Sequence, residues 1–306
     1  LLKTGNGAKK NFILTQMTHC AVMFPEVDTR DLSAVQSEVE SIFSSLFPEE
    51  DSVFVAKVFG WTGQWFTGKY FGYQAVDARY HDLEHTLQGT LCLIRLLRGR
   101  HFAGVRPILT PKMFELGLLA ILSHDTGYLK RAEDTEGTGA KYTLTHVRRS
   151  GEFAKQFLSE KGYNASDTYS VQNMIRCTGV NADLGTIPFT SDLEKAVGFG
   201  LGTADLLGQM AAPDYVEKLP VLYMEFAEAA KFSGVSSKSI LFGSAEELMR
   251  NTPMFWQNYV WPKIQTDFGG AHRFLSDPYP EGPNYYLDSI EANLARLRKL
   301  AANSVS

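Results

Sequence analysis

The stretch Met113-Phe114-Glu115-Leu116-Gly117-Leu118-Leu119-Ala120-Ile121-Leu122-Ser123-His124-Asp125-Thr126-Gly127 reads as a helix that is apolar nearly all round, and such a helix is buried. It ends in an adjacent imidazole and carboxylate. An ionised carboxylate at the buried end of a helix is costly unless it is paired or bound to a cation. A cap on the next segment, or an ion pair with Lys130 or Arg131, would meet that need as well as a metal ion, so this stretch alone leaves both readings open.

Working outward, apolar residues keep helical spacing along most of the chain. Leu32, Val35, Val39, Ile42, Phe43 and Leu46 follow the candidate caps Thr29 and Asp31, and Pro48 closes the run. Further helical patterns cover 80–98, 111–125, 145–160, 166–177, 192–210, 220–232, 239–250 and 253–268. A last helix carries Leu287, Ile290, Leu294 and Leu297 on one stripe. The aromatic, glycine-rich stretch 53–73 shows little periodicity and reads as a long loop, either packed across the core or serving as a lid. No strand alternation is sustained. The fold class is therefore all-α, a multi-helix bundle of about ten helices. Residues 1–78 form an N-terminal helical segment and aromatic loop packed on the core, 79–210 the metal-binding core, and 211–306 the C-terminal helices completing the same domain.

Bulk properties exclude several classes. With 306 residues, a formal net charge of −4 and no long basic run, the chain predicts no nucleic-acid partner. Cys20, Cys92 and Cys177 are odd in number and widely spaced, which fits free thiols in a reducing, cytoplasmic setting better than a disulfide framework. The moderately apolar stretch 12–24 is too short and polar to span a membrane and lacks a secretory layout. No membrane partner is expected. The chain begins at Leu1 rather than Met, so a preceding stretch is open.

Two more oddities join His124-Asp125. His81 and His85 stand four apart in Tyr80-His81-Asp82-Leu83-Glu84-His85, at the start of a helix with Leu83, Leu87, Leu91 and Ile94 on its apolar stripe, so both imidazoles address one face. Asp205 is an isolated acid in the apolar, small-residue run Val197-Gly198-Phe199-Gly200-Leu201-Gly202-Thr203-Ala204-Asp205. Mixed imidazole and carboxylate ligation of a divalent ion (Zn, Fe, Mn or Mg) explains all three at once.

His85, His124-Asp125 and Asp205 together resemble the H…HD…D signature of the HD-domain metal-dependent phosphohydrolases, an all-helical superfamily, across roughly 79–207. The segment from Tyr80 to Thr86 is similar to the YHNxxHA segment of the cyclic-nucleotide phosphodiesterases, a branch of it. The resemblance implies that His81 gives a proton to the leaving oxygen. It makes His85, His124, Asp125 and Asp205 metal ligands, with Asp125 bridging where two ions bind. His146 matches a further ligand of two-metal members. The histidine that usually precedes the last Asp falls in Met174-Ile175-Arg176-Cys177-Thr178, where Cys177 is a substitute ligand or a structural thiol. Tyr128 stands where the phosphodiesterase branch has a histidine, and Asp205 follows Asp125 sooner than in that branch. Phe255-Trp256-Gln257-Asn258-Tyr259 resembles the late purine-holding segment, with Gln257 and Tyr259 at the matching positions.

These residues lead to the expectation of a phosphohydrolase that cleaves a small phosphate ester, such as a nucleotide or cyclic nucleotide, by water activated on one or two divalent ions. His81 would be the general acid, oriented by Asp82 or Glu84. Lys130, Arg131, Arg148 and Arg149 are candidate phosphate contacts, Lys130 and Arg149 foremost. A mixed-valent di-iron oxygenase and a non-catalytic regulatory module are the alternatives. The final helix, if its stripe is free, is a candidate homodimer face.

Overall fold

The computed structural model describes residues 26–180, 182–234 and 242–303. Cys20, the 12–24 stretch and the first residues of the expected 239–250 helix fall wholly or in part outside them. Among the described residues there are ten α-helices and no strand, only the isolated bridges Thr67–Ala75 and Tyr73–Arg131. The fold is the expected all-α multi-helix bundle. One buried apolar cluster runs from Val35 to Leu297.

Helix α1 (Leu32–Leu46) starts where the Asp31 carboxylate accepts the Ser33 amide, satisfying one of the free donors of the first turn. The next element corrects the expected loop. Val53–Phe66 is a helix, α2, and irregular chain begins only at Thr67. Val55, Val58, Phe59, Thr62, Trp65 and Phe66 recur at three- and four-residue steps and all are buried. Gly60 and Gly63 lower helix propensity by about 1 kcal/mol each, but that aromatic face outweighs them. Trp65 meets Phe157 and Phe153 edge-on at 4.7 and 5.4 Å between centroids, and Trp61 meets Phe157 at 5.2 Å.

Helices α3 (Leu83–Phe102), α4 (Pro111–Ser123) and α7 (Asp192–Met210) make the centre. The first and last cross with their backbones nearly touching. A Cβ on Gly208 would lie 2.8 Å from the Gln88 carbonyl, and one on Gly89 3.8 Å from the Asp205 Cα. Helices α5 (His146–Glu160) and α6 (Ala165–Ile175) close one flank. On the other side stand α8 (Tyr215–Ser233), α9 (Ala245–Phe255) and α10 (Tyr285–Asn303).

Several boundaries differ from expectation. Helix α3 begins at Leu83, so His81 precedes it rather than lying in its first turn. Pro220 and Pro253, read as helix starts, lie inside α8 and α9. Beyond α9 the 253–268 pattern resolves into two π-helical turns, Trp256–Val260 and Lys263–Asp267, which widen the backbone around a bulky aromatic run. The stripe of α10 is spent internally: Ile290, Leu294 and Leu297 are buried in the core, with Leu287 packed against it, so this stripe offers no free dimer face.

Trp65→Ala is expected to lower stability by about 3–5 kcal/mol, the range for emptying a large aromatic site. Denaturant unfolding followed by circular dichroism measures it, and a loss under about 1 kcal/mol would restore the loop reading of this segment.

Candidate metal centre

Each ligand-type side chain is fixed by a local device. The Asp82 carboxylate caps α3 by accepting the His85 amide at 2.9 Å, which locks His85 into the first helical turn. His124 closes α4, and its Nδ1 donates to the Ile121 carbonyl at 2.7 Å, leaving Nε2 with its lone pair outward. The chain then turns through the 3₁₀ segment Thr126–Tyr128, held by the Gly127 amide donating to Ser150 Oγ at 2.8 Å. Asp205 reaches the same point from the middle of α7.

The four side chains converge. His85 Nε2 lies 3.2 Å from Asp125 Oδ2 and 3.3 Å from Asp205 Oδ1, and His124 Nε2 lies 3.2 and 3.4 Å from the same two oxygens. His85, His124 and Asp125 are buried, and the Asp205 side chain is 12% exposed. Despite these short separations, His124 Nε2 and Asp125 Oδ2 are buried with no hydrogen-bond partner of acceptable angle. Four donor atoms aimed at a common point rather than at one another suit a cation: around an ion held at about 2.1 Å, neighbouring ligand atoms stand about 3.0–3.4 Å apart. The buried group His85, His124 and Asp125, whose donor atoms lie within 4.8 Å of one another, can hold a metal ion.

The charges answer one another in the same way. Burial works against a proton on His85, but Asp125 and Asp205 outweigh it and push the imidazole up to about 9. Against the same burial, Asp125 and Asp205 also raise His124 well above the usual imidazole range. Burial in turn opposes ionisation of Asp125 and Asp205, yet His124 and His85 hold both well below the usual carboxylate range.

A second group of rings flanks this cluster. His81 Nδ1 lies 2.6 Å from Glu225 Oε2, and Glu225 Oε1 accepts the Tyr80 amide at 2.7 Å. Glu225, on α8, thus fixes the imidazole by one nitrogen and leaves Nε2 to act. Neither expected orienter does this: Asp82 caps α3, and Glu84 pairs with Lys218 at 2.8 Å. The Tyr128 ring stacks on both His81 and His146, at centroid distances of 4.4 and 4.8 Å, and the two imidazoles approach each other at 6.1 Å. His146 Nδ1 donates to the Thr143 carbonyl at 2.6 Å, and its Nε2 stands 3.8 Å from Asp125 Oδ1, on the side away from the four-atom cluster.

The expected phosphate contacts are engaged elsewhere. Lys130 is buried, paired with Asp77 at 2.9 Å and donating to the Gly137 carbonyl at 2.7 Å. Arg149 donates to the Gly127 and Leu129 carbonyls at 2.7 and 2.8 Å and lies over the Tyr142 ring, so it braces the turn that follows Asp125. Arg148 pairs with Glu152 on the surface, and Arg131 lies over Tyr73. Gln257 is exposed on its π turn. The Tyr259 hydroxyl donates to the Val180 carbonyl at 2.5 Å. Cys177 is a structural thiol: its Sγ faces the Asn173 carbonyl at 3.7 Å and packs against Gly198.

Residues 132–273 match the model of a family described as Npun_R2479-like. That span is less than half of the chain. It takes in His146, Asp205 and Glu225 and leaves out His81, His85, His124 and Asp125. No curated protein matches the chain.

Two measurements test this geometry. A Cβ on Gly127 would stand 2.0 Å from the His146 carbonyl oxygen, so Gly127→Ala should force the turn and α5 apart and cut metal content at least severalfold, read by elemental analysis. The pH profile tests the charge coupling. His85 is raised from 6.5 to about 9, so its contribution is complete below 6.5 and is lost as pH rises through about 9. Asp125 and Asp205 are lowered from 3.8, so theirs holds above about 4 and is lost on further acidification. Chelator-treated protein should therefore lose melting temperature between pH 6.5 and 9, whereas metal-loaded protein, whose ligands are already deprotonated, should not. A flat profile after chelation would sink the coupling.

Proposed function

We propose that the protein is a metal-dependent phosphohydrolase acting on a small phosphate ester, a nucleotide or cyclic nucleotide being the favoured class, in a cytoplasmic setting. The observation that carries the reading is the separation of roles: four donor atoms converge on one point, while a fifth group, His81, stands beside them held by its own carboxylate. The buried free thiols Cys92 and Cys177 suit that compartment. Among the described residues no helix is long and apolar enough to cross a membrane.

A bound divalent ion, Mn, Mg, Zn or Fe, would supply hydroxide near neutral pH and neutralise phosphoryl oxygens. The protein's own groups account for the rest. Asp125 offers Oδ2 to the cluster and Oδ1 toward His146, so it would be the shared ligand if a second ion were held beside His146. Glu225 accepts the Nδ1–H of His81, so the proton for the leaving alkoxide would be the Nε2 proton of the imidazolium form. Stacking on Tyr128 fixes the plane of that ring. With Lys130 and Arg149 committed to structure, charge on the phosphoryl group falls to the metal and His81.

The His146 nitrogen beside Asp125 Oδ1 supports a second reading, an HD-type mixed-valent di-iron oxygenase. A regulatory module that keeps the metal without turnover is the third.

His85→Ala or Asp205→Ala should abolish metal binding and turnover together. His81→Ala should keep the metal and lower kcat by about 10²–10⁴, and Glu225→Gln should lower it less. Elemental analysis of protein purified without chelator, beside phosphate release from a nucleotide and cyclic-nucleotide panel with Mn, Mg or Zn, decides among the readings. Stoichiometric iron with an oxygen-dependent product selects the oxygenase, and full activity in Asp205→Ala sinks the proposed site.

A further inference from the structure

Three of the four imidazoles at this centre have a partner for Nδ1: Glu225 for His81, the Ile121 carbonyl for His124 and the Thr143 carbonyl for His146. His85 is the exception. Its ring is buried, its Nε2 faces Asp125 and Asp205, and its Nδ1 has no hydrogen-bond partner among the described residues. A neutral histidine that ligates through Nε2 carries its proton on Nδ1, and a buried N–H without an acceptor is costly. With no acceptor, the neutral ring gains by placing that proton on Nε2 instead, where it faces the carboxylates and blocks ligation.

The back of this ring opens on a small cavity. His85 lines it together with Tyr80, Gln88, Gln209, Tyr215 and Lys218, whereas His124, Asp125 and Asp205 do not, so it lies on the side of the imidazole away from the converging donors. It gives the centre of a water molecule about 10 Å³ to occupy, which is room for one water. Most of its polar wall is committed. The Tyr80 hydroxyl donates to Gln209 Oε1 at 2.7 Å, Gln209 Nε2 donates to the Asp205 carbonyl at 2.9 Å, and Lys218 is paired with Glu84 at 2.8 Å. The Gln88 amide and the Tyr215 hydroxyl are not. Both side chains are buried, at 7% and 5% exposure, and neither makes a side-chain hydrogen bond among the described residues. Gln88 follows His85 by three positions on α3 and shares its face. One N–H, one amide and one hydroxyl around a space of this size supply the two to four polar partners that a buried water needs.

We propose that this cavity holds one structural water, the acceptor for His85 Nδ1–H, and that Gln88 and Tyr215 are the positioning residues that keep it there. The water fixes the proton of the ring on Nδ1 and leaves the Nε2 lone pair for the metal. The inference rests on His85 as a metal ligand and not on the reaction, so it stands for the hydrolase, the oxygenase and the regulatory module alike.

The test is nuclear magnetic resonance of the full, Zn-loaded chain carrying isotope-labelled histidine. Long-range proton–nitrogen correlation should place the His85 proton on Nδ1, and that proton should show a cross-peak to water. His124, whose Nδ1–H is spent on the Ile121 carbonyl, should show none. The His85 cross-peak should survive Tyr215→Phe, where no hydroxyl proton remains to relay it. Tyr215→Phe combined with Gln88→Met should then lower Zn affinity tenfold or more, measured by competition with a chromophoric chelator. Both substitutions keep side-chain volume, so packing alone predicts no change. A His85 proton on Nε2, no water cross-peak in the Zn-loaded chain, or unchanged affinity in the double variant overturns the proposal. Should the double variant fail to fold, the cross-peak in the unaltered chain and in Tyr215→Phe decides. A chain that takes up no Zn overturns the metal centre together with this inference, whereas the water cross-peak without turnover of any ester refutes only the hydrolase reading.

Discussion

The near-contact of the α3 and α7 backbones at Gly208 and Gln88 is the constraint on which the site depends. Two helices bearing ordinary side chains at their crossing stand 8–10 Å apart, about an ångström or more beyond what glycine permits. His85 lies one turn before Gln88, and Asp205 one turn before Gly208, so the crossing sets the distance between the imidazole and the carboxylate. Gly89, against the Asp205 Cα, repeats the device from the other helix. Of the small residues of α7, Gly200 and Gly208 face α3, whereas Gly198 and Gly202 make room for Phe189, Phe268 and the Cys177 segment.

The other two ligand-type residues, His124 and Asp125, come from a helix end. Because α4 is buried nearly all round, its C-terminus cannot reach solvent, and the chain must leave through a tight 3₁₀ turn braced by Ser150 and Arg149. Arg149 therefore contributes without touching a ligand: it satisfies two carbonyls that a buried turn would otherwise leave unpaired. Lys130, tied to Asp77 and Gly137, does the same for the next loop. Cations that follow a ligand segment closely in sequence are well placed to stabilise that segment, and here they are used for it.

Helix periodicity made the bundle legible, because a 3.6-residue repeat of apolar positions is a local property. It hid α2, where glycine and aromatic density resemble a loop and only burial against Phe153 and Phe157 shows the helical face. The four converging donors were also legible, each being a polar residue in an apolar context. Glu225 meets the same criterion, an isolated acid within Val221-Leu222-Tyr223-Met224-Glu225-Phe226, and its partner could not be read because it is 144 residues away.

The two oxygens of Asp125 face unequal surroundings, and Tyr128 stacks on the imidazole of the sparser side. On the Oδ2 side the Nε2 atoms of His85 and His124 each lie within 3.4 Å of both Asp125 and Asp205, whereas on the Oδ1 side His146 stands at 3.8 Å. The Tyr128 ring stacks on His146 and on His81, which also meet each other at 6.1 Å between centroids. Burial, and then the charge of Asp125, keeps the Tyr128 hydroxyl protonated far above neutral pH, so it adds no charge to that side. The ring instead gives His81 and His146 a common stacking surface. The tyrosine thus offers an orienting surface in place of a donor atom, and the close set of ligand-type atoms stands on the His85–His124 side of Asp125.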